Sequence, residues 1–559
     1  MNNLKKQNRA PLLNALRKAF SIAKESQKTN SAPVDELIEE LVQSSLQRRK
    51  FIGDLMKTGA LISAAGLLNA CKKAVEVTPA VKLPGFSANL SQSQSQPKTV
   101  IIGAGMAGLN CAYQLKKAGR FATVYEGSKR VGGRIFSKSN ILAPDIYTEL
   151  GGEFIDSGHD DMLQLCSEFG LSLLDTRSAT EEKFARDSFF IDGRFYAEKE
   201  VIKAFLPYAS RIDADINSLP DEITYDDNDA TSKRFDRMSV KEYLDGIGMT
   251  GFIRKGIETA YLTEYGLETD VQSAINFLFL FNPDTSGGFE IFGESDERYK
   301  IAGGNQTLTD KLYARVKDQV YTENVLVKIK QTATGYTLYF LNANNSITTV
   351  NADVVVCTIP FSVLRNIELD VALPKWKSQA IKNVGYGTNS KLLLGFDSRV
   401  WRKYQYSGYA FTNNAIQTGW DNSQAQPGKN GGYTVFQGGN DGLQLGNGTP
   451  ESQAPKFVDQ LEQMWPGCKK AFNGNVKRMH WPTYPFTLGS YSCYKVGQYT
   501  SIRGAERKAI GNLHFAGEHC SLNFQGYMNG AAETGRMAAE EILAKTQVQT
   551  ERLVSNLAK

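Results

Sequence analysis

The sequence has few of the residues that bind metals or form disulfides, and it carries little excess charge. Its 559 residues include seven cysteines, with no Cys-x-x-Cys pair, and four histidines. We therefore expect no zinc ribbon, no thioredoxin-like redox motif and no metal site. Basic residues number 64 and acidic residues 59, and from residue 71 onward each kind numbers 53. Because a nucleic-acid-binding protein needs a basic face, no nucleic-acid partner is expected.

An apolar run long enough to cross a bilayer is also missing from the N-terminal region. The run at residues 59–70 spans 12 residues, whereas a membrane-spanning helix needs roughly 20. Together with the preceding pair Arg48 and Arg49, this run resembles a twin-arginine signal peptide. Residues 1–70 are therefore predicted to be a leader. Such a leader predicts export of an already folded bacterial protein by the twin-arginine machinery. The alternative is a chance arginine pair before a buried helix.

A second leader feature bears on where the exported protein would stay. Residues 68–71, Leu-Asn-Ala-Cys, resemble a bacterial lipobox, in which Cys71 would be lipidated; Asn69 departs from the usual small or aliphatic residue. The protein is thus expected to be periplasmic or lipid-anchored at the membrane, with simple cleavage or retention of the leader as alternatives. Residues 71–97, rich in Ser and Gln, predict a flexible linker. The role of residues 1–46 stays open.

The strongest motif is a glycine-rich turn between an apolar strand and a helical pattern. Residues 99–102 predict a strand that leads into a Gly-x-Gly-x-x-Gly turn, and a second predicted strand, residues 121–125, ends in Glu126. The glycines of the turn are Gly103, Gly105 and Gly108. Such glycines allow a pyrophosphate to approach a helix N-terminus closely, and the acid accepts hydrogen bonds from a ribose. The sequence therefore predicts a dinucleotide-binding βαβ unit.

Two further segments favour FAD over NAD as the dinucleotide. Residues 131–134 are Val-Gly-Gly-Arg, with a guanidinium suited to phosphate oxygens, and residues 515–519 are Phe-Ala-Gly-Glu-His. With the βαβ unit, these segments resemble the flavin-containing amine oxidase family, which includes monoamine oxidases, polyamine oxidases and L-amino-acid oxidases. The resemblance covers about residues 98–545. It is carried by Gly103 to Gly108, Glu126, Gly132-Gly133-Arg134, Leu150 to Glu153, Gly303-Gly304, Phe515 to Glu518, and Gly526 to Ala531.

The resemblance implies both a fold and a division into domains. The fold would be α/β, with a discontinuous FAD-binding Rossmann-like domain and a mixed-sheet substrate-binding domain with a helical insertion, as in monoamine oxidases. The FAD-binding domain would comprise residues 98–155, 298–370 and 505–545, and the substrate-binding domain residues 156–297 and 371–504. Within the latter, residues 160–259 have a helical pattern. Residues 413–455, rich in Gly, Asn and Gln, predict long surface loops.

The resemblance also implies how FAD is held. Ser490 stands where monoamine oxidases have the cysteine that bonds FAD covalently, so noncovalent binding is expected. The start of the last helical pattern would direct backbone N–H groups at the flavin. The implied FAD contacts are Gly103, Gly105, Met106, Ala107, Gly108, Glu126, Gly127, Gly133, Arg134, Gly151, Gly152, Glu153, Phe154, Val325, Gly517, Glu518, Gly526, Tyr527, Met528, Asn529, Gly530 and Ala531.

Three residues are implied to be catalytic. Lys391, in an apolar strand, matches the family lysine that holds a water against flavin N5. Tyr491 and Tyr527 match the two aromatic positions that flank the substrate nitrogen, although packing in the core is an alternative role for Tyr491. The implied reaction is hydride transfer from the C–H next to the amine nitrogen to flavin N5. Water then hydrolyses the imine to a carbonyl and ammonia, and O₂ reoxidises the flavin with formation of H₂O₂.

The residue at position 154 narrows the substrate class. The family's amino-acid oxidases have an arginine there that pairs with the substrate carboxylate, whereas this chain has Phe154, and an unpaired carboxylate in a dry pocket is costly. We therefore expect an FAD-dependent amine oxidase, an oxidoreductase acting on CH–NH₂ or CH–NH groups. The alternatives are an L-amino-acid oxidase or tryptophan 2-monooxygenase-like enzyme, an amine dehydrogenase with a protein electron acceptor, and a non-catalytic FAD-binding module. Whether the protein forms a homodimer stays open.

Overall fold

The sheet that carries the glycine-rich turn takes strands from distant parts of the chain. A computed structural model describes residues 97–279 and 296–557; the predicted leader and, apart from Pro97, the predicted linker lie outside these residues. The five strands of the sheet are parallel and lie in the spatial order Leu513–Phe515, Val354–Cys357, Thr99–Ile102, Ala122–Tyr125 and Val320–Tyr321. The central strand Thr99–Ile102 is buried at every residue, as expected for a parallel sheet covered on both faces.

Two helices pack closely beside this sheet. Helix Met106–Lys117 starts directly after the glycine-rich turn, and it contacts the last helix, Met528–Leu557. The Asn110 amide nitrogen donates a hydrogen bond to the backbone oxygen of Ala532 at 2.7 Å. A Cβ atom on Gly535 would lie 2.3 Å from the backbone oxygen of Ala107. Small residues at the crossing therefore let the C-terminal helix pack against the first βαβ unit.

A larger mixed sheet forms the second core of the protein. Its strands lie in the order Phe472–His480, Ser390–Phe396, Gly431–Gln437, Thr418–Asp421, Tyr406–Thr412, Ala185–Ile191 and Arg194–Tyr196. All neighbouring pairs are antiparallel except Tyr406–Thr412 with Ala185–Ile191. The strand Ser390–Phe396 is buried along its whole length. Trp401 and Trp465 are fully buried in the apolar cluster that includes this sheet.

Smaller sheets and helices complete the described chain. A four-stranded sheet contains Ile347–Ala352, Tyr336–Asn342, Asn324–Gln331 and Glu368–Asp370. Two-stranded sheets pair Gly385–Tyr386 with Ser492–Cys493, Ser137–Ser139 with Tyr147–Glu149, and Leu173–Asp175 with Tyr299–Ile301. The other α-helices are Asp160–Glu168, Glu198–Asn217, Ala230–Asp236, Val240–Gly246, Gly251–Tyr265, Ala274–Leu278, Gln306–Val316, Phe361–Leu364, Lys375–Asn383, Gly439–Gln444, Pro450–Met464 and Cys468–Ala471.

The prediction of long surface loops over residues 413–455 is wrong. This region contains the buried strands Thr418–Asp421 and Gly431–Gln437, followed by two helices. Glycine permits close packing in these strands: a Cβ atom on Gly419 would lie 2.6 Å from the ring of Tyr433. The glycines of the strands therefore reflect tight packing within a sheet. Likewise, residues 160–259 contain strands as well as the expected helices.

Neither a membrane-spanning helix nor a metal-binding cluster is found among the described residues. Over residues 97–279 and 296–557, no helix combines the length and apolar character that a membrane span requires. In the same ranges, no group of three or more His, Cys, Asp or Glu side chains is placed to hold a metal ion.

Gly108 provides a test of the packing between the first strand and its helix. A Cβ atom on Gly108 would lie 1.9 Å from the backbone oxygen of Gly103. We expect Gly108→Ala to lower the free energy of unfolding, measured by urea denaturation, by at least about 3 kcal/mol because the helix must move off the strand. Gly246→Ala is the control, since its Cβ would meet no atom within 4 Å, and it should be neutral or stabilising. Equal stability of Gly108→Ala and wild type would contradict the packing role.

Candidate active site

A cavity lies where the parallel strands end and extends to the seven-stranded sheet. Its empty space, including the part open to solvent, amounts to about 2090 Å³, and it lies at the edge of the sheet where α/β folds bind ligands. The predicted site residues that line it are Gly103, Gly105, Met106, Ala107, Glu126, Gly127, Gly133, Arg134, Gly151, Gly152, Glu153, Phe154, Val325, Lys391, Tyr491, Gly517, Glu518, Gly526, Tyr527, Met528 and Ala531. The structure thus brings together residues that are separated by up to 428 positions in the chain.

Three of the predicted cofactor-binding residues face protein and do not line the cavity. Gly108 lies against the backbone of Gly103, as described above. Asn529 is fully buried, and its side-chain oxygen accepts a hydrogen bond from the backbone N–H of Met162 at 3.0 Å. A Cβ atom on Gly530 would lie 2.1 Å from the backbone oxygen of Phe524. These three residues therefore shape the turn and the start of the last helix.

The two glycine-rich segments form one continuous backbone surface. Gly105 and Gly132 form an isolated parallel bridge, and a Cβ atom on Gly133 would lie 3.2 Å from the Cα of Gly105. Gly103 has a φ of +101° and Gly132 a φ of +98°, a backbone conformation that favours glycine. The cavity wall here consists of backbone without side chains, which suits the close approach of a pyrophosphate.

Glu126 is held at the end of the second parallel strand. Its carboxylate accepts hydrogen bonds from the backbone N–H of Ala104 at 2.7 Å and of Ser128 at 2.8 Å. It is 9% exposed and lines the cavity. A fixed carboxylate at this position is the group that binds ribose hydroxyls in dinucleotide sites.

The buried carboxylate of Glu518 joins distant segments beneath the cavity. It accepts hydrogen bonds from the Arg134 guanidinium at 2.8 Å, from the Ser492 hydroxyl at 2.7 Å and from the backbone N–H of Gly526 at 2.8 Å. Burial raises the pKa of Glu518, but the Arg134 charge and the hydrogen bonds lower it by a larger amount. The pKa of Glu518 therefore lies below its usual value. The carboxylate is therefore ionised at neutral pH and fixes the start of the last helix.

Lys391 lies in the cavity wall with its ammonium fully bonded to protein. It is 4% exposed. Its Nζ atom lies 3.1 Å from the backbone oxygen of Glu149, 2.9 Å from that of Gly151 and 3.0 Å from the Glu153 carboxylate. It also lies 5.2 Å from the centre of the Trp420 ring. The lysine was predictable from the sequence, but this set of partners was not.

The end of the cavity at the seven-stranded sheet is aromatic. Trp420 contacts Phe154, Tyr409 and Phe436, with ring centroids 5.3–5.9 Å apart. Tyr491 lines the cavity, and its hydroxyl lies 2.7 Å from the backbone oxygen of Glu264, to which it can donate. Such an arrangement can enclose the apolar part of a small ligand and exclude water.

Most of this aromatic wall was not predicted from the sequence. The lining aromatic residues at this end that were not predicted are Tyr409, Phe411, Trp420 and Phe436. Tyr409 and Phe411 stand two positions apart in one strand and therefore point to the same face. This spacing of two aromatic residues is a sequence signal for one wall of a site. It was not used, because the neighbouring residues 413–455 were predicted to be loops.

No cysteine lines the cavity among the residues that the structure describes. Cys493, the nearest in sequence to Ser490, is fully buried, and its sulfur lies 3.7 Å from the side-chain nitrogen of Asn276. Ser490 itself lines the cavity and donates a hydrogen bond to the side-chain oxygen of Asn389 at 2.7 Å.

Comparison with known proteins identifies the family. The model of the flavin-containing amine oxidoreductases matches residues 106–543. The chain belongs to this family. It is 25% identical over 464 residues to the flavin-containing amine oxidase B of Sus scrofa, covering 80% of this chain and 86% of that protein. It is 23% identical over 469 residues to a putative L-amino-acid oxidase of Bacillus subtilis, covering 81% and 96% respectively.

Solved structures of family members share the fold. Cyclohexylamine oxidase from Brevibacterium oxydans matches with a TM-score of 0.70 and 19% identity over 81% of this chain and all of that one. Wild-type putrescine oxidase bound to putrescine matches with a TM-score of 0.69 and 19% identity over 80% and 99%. The monoamine oxidase-like α/β fold expected from the sequence is therefore confirmed. Because the family is flavin-containing, the glycine-lined end of the cavity, with Glu126 beside it, fits the dinucleotide part of such a cofactor.

Glu149 is a buried carboxyl group beside Lys391 that titrates near neutral pH. Burial raises the pKa of Glu149 from 4.5 to about 7, although hydrogen bonds from Ser137 and Asn305 and the Lys391 charge lower it. Because the folded protein holds this proton more tightly than the unfolded chain, the resulting stability is fully present below about pH 4.5. It is lost as the pH rises through 7.

We expect the thermal-unfolding midpoint of Glu149→Gln to fall less than that of wild type between about pH 5 and about pH 8, because glutamine does not ionise. Glu242→Gln is the control. Backbone and side-chain hydrogen bonds from Ser239 lower the pKa of Glu242, so this carboxylate stays ionised over the whole range and the variant should keep the wild-type slope. A wild-type slope in Glu149→Gln would contradict the assignment.

Proposed function

We propose that this protein is an FAD-dependent oxidase of small amines, which converts an amine, O₂ and water into a carbonyl compound, ammonia and H₂O₂. The observation that carries the proposal is that a single cavity joins a glycine-lined, dinucleotide-type end to an aromatic end. Lys391 lies in the wall of the same cavity. This combination suits a cofactor at one end and a small, largely apolar substrate at the other.

The chain's own contribution is to orient the substrate and to keep bulk water away from it. When bound, the flavin would accept a hydride from the C–H next to the amine nitrogen and return electrons to O₂. Tyr491 and Tyr527 would contact the amine through their ring faces. The bond between the Tyr491 hydroxyl and the backbone of helix Gly251–Tyr265 restrains that ring. The aromatic wall favours the neutral amine, the form that can lose a hydride, because a charged amine is costly to desolvate.

The positions of the arginines in the wall favour amines over amino acids. Arg130 and Arg134 are the arginines among the described lining residues, and both bond within the glycine-lined end: Arg130 to the Val131 and Ile135 oxygens, and Arg134 to Glu518. At the aromatic end, Phe154 packs against Trp420. At this end a substrate carboxylate would therefore find no guanidinium with which to pair.

FAD binding is proposed to be noncovalent. Ser490 cannot form a thioether, and no cysteine lines the cavity among the described residues. The Glu126 carboxylate, the glycine surface and the N–H groups at the start of the last helix would together hold the cofactor without a bond to it.

Export is a further part of the proposal. Arg48 and Arg49, followed by the apolar run at 59–70, support transport by the twin-arginine pathway. That pathway carries folded proteins, which suits a protein that must take up its cofactor before transport. Residues 68–71 support a lipid anchor at Cys71. The protein would then act in the periplasm or at the membrane surface.

The reaction can be tested with the purified, flavin-loaded protein. Acid precipitation should first release all the yellow colour into the supernatant, where FAD is identified by mass. Anaerobic mixing with a panel of amines and amino acids should then bleach the flavin absorbance with amines but not with amino acids, and aerobic mixing should produce H₂O₂. Bleaching by amino acids alone would indicate an amino-acid oxidase, and bleaching without peroxide a protein electron acceptor. No bleaching by any compound would support a non-catalytic module.

Lys391→Met tests the role of the wall lysine. The variant should keep FAD bound but slow flavin reduction or reoxidation at least about tenfold, a loss of about 1.4 kcal/mol of transition-state stabilisation. Stopped-flow absorbance measures both rates. Lys377→Met is the matched control, because Lys377 is also fully buried but does not line the cavity, and its rates should equal those of wild type. Wild-type rates in Lys391→Met would remove this residue from the mechanism.

A further inference from the structure

Two buried lysines share one carboxylate beside the cavity. Glu153 is 5% exposed, Lys300 is 1% exposed and Lys391 is 4% exposed. The Lys391 Nζ atom lies 3.0 Å from Glu153 Oε2, and the Lys300 Nζ atom lies 3.6 Å from Glu153 Oε1. The three groups together carry one net positive charge. Such a group is costly to bury without mutual compensation, so each member depends on the others.

Glu153 is the only side chain among the hydrogen-bond acceptors of Lys391 in the described chain. The other two acceptors are the backbone oxygens of Glu149 and Gly151. That backbone is itself restrained, because a Cβ atom on Gly151 would lie 1.8 Å from the backbone oxygen of Arg134. An ammonium has three N–H donors, and all three are used. The direction of the Lys391 side chain is therefore set by this segment and by the Glu153 carboxylate.

The Oε1 atom of Glu153 differs from the oxygens of the neighbouring Glu149 carboxyl group in its hydrogen bonding. It is buried without a hydrogen-bond partner among the described residues, and Glu153 lines the cavity. The Glu149 carboxylate, in contrast, bonds to the Ser137 hydroxyl at 2.6 Å and to the backbone N–H of Asn305 at 2.8 Å. The neighbouring Tyr147 hydroxyl is neutral, since burial raises the pKa of Tyr147 to about 12. Glu153 is thus the carboxylate that lies within ion-pair distance of both lysines.

We propose that Glu153 is a positioning residue: its carboxylate orients the Lys391 ammonium and limits the charge of Lys300 and Lys391 at the cavity to one net positive charge. The inference rests on the proposed function, since it places a flavin beside Lys391. A nearby positive charge stabilises the anionic reduced flavin relative to the oxidised form. The Glu153 carboxylate would therefore set both the geometry of Lys391 and the reduction potential of the cofactor.

The test is the midpoint potential of the bound flavin, measured by photoreduction, which needs no amine. At about pH 6, Glu153→Gln should raise the potential by an amount equal to at least a tenfold change in the equilibrium constant for reduction, about 30 mV for a two-electron couple. Lys300→Met should lower the potential, and Glu153→Asp, which keeps the charge, should keep the wild-type potential.

A double variant keeps the test valid even if the single variant Glu153→Gln folds poorly. Glu153→Gln with Lys300→Met restores the net charge, so its potential should return to that of wild type. If Glu153→Gln alone fails to retain flavin, the double variant should recover it. Glu506→Gln removes a buried carboxyl that does not line the cavity, and should leave the potential unchanged.

The inference would be overturned by a potential in Glu153→Gln equal to that of wild type at about pH 6. An equal shift in Glu506→Gln, or no recovery in the double variant, would overturn it as well. These outcomes are distinguishable from failure of the proposed function, which would appear as a wild-type flavin that no amine reduces.

Discussion

The bonds to the Glu518 carboxylate hold the site together. They connect Arg134, which follows the second glycine-rich segment, with Ser492 and with the backbone at Gly526. No local interaction brings these segments together, because up to 392 residues separate them in the chain. A buried carboxylate that lost these donors would be left uncompensated in the interior, which is strongly unfavourable. The ion pair therefore makes the glycine surface and the start of the last helix stable only together.

Local signals in the sequence predicted the dinucleotide-binding unit well. The strand expected at residues 99–102 has those bounds in the structure, and the strand expected at 121–125 begins one residue later, at Ala122. Phe121 is 60% exposed, which explains the difference. These elements were predictable because strand, turn, helix and acid follow one another within 30 residues and each has its own residue preference.

The aromatic wall of the cavity was not predictable in the same way. Trp420 and Phe436 lie in adjacent strands of a sheet whose order depends on pairing between distant segments. A glycine-rich stretch predicts loops by composition, yet Gly419 is required where the Tyr433 ring approaches. The compensation of Lys391 by Glu153 was also invisible, because nothing in the spacing of residues 153, 300 and 391 shows that they meet. Contacts between distant positions carry no local sequence pattern.

The position of the edge strand Leu513–Phe515 has a consequence for synthesis of the protein. This strand pairs with Val354–Cys357, and the latter pairs with Thr99–Ile102. A ribosome must therefore translate the chain as far as Phe515 before this strand can join the sheet. A nascent chain that stopped short of this point would expose the Val354–Cys357 edge, which is prone to pairing with other polypeptides. The five-stranded sheet is thus finished only after residues 513–515 are synthesised, and products that end before them would be candidates for proteolysis.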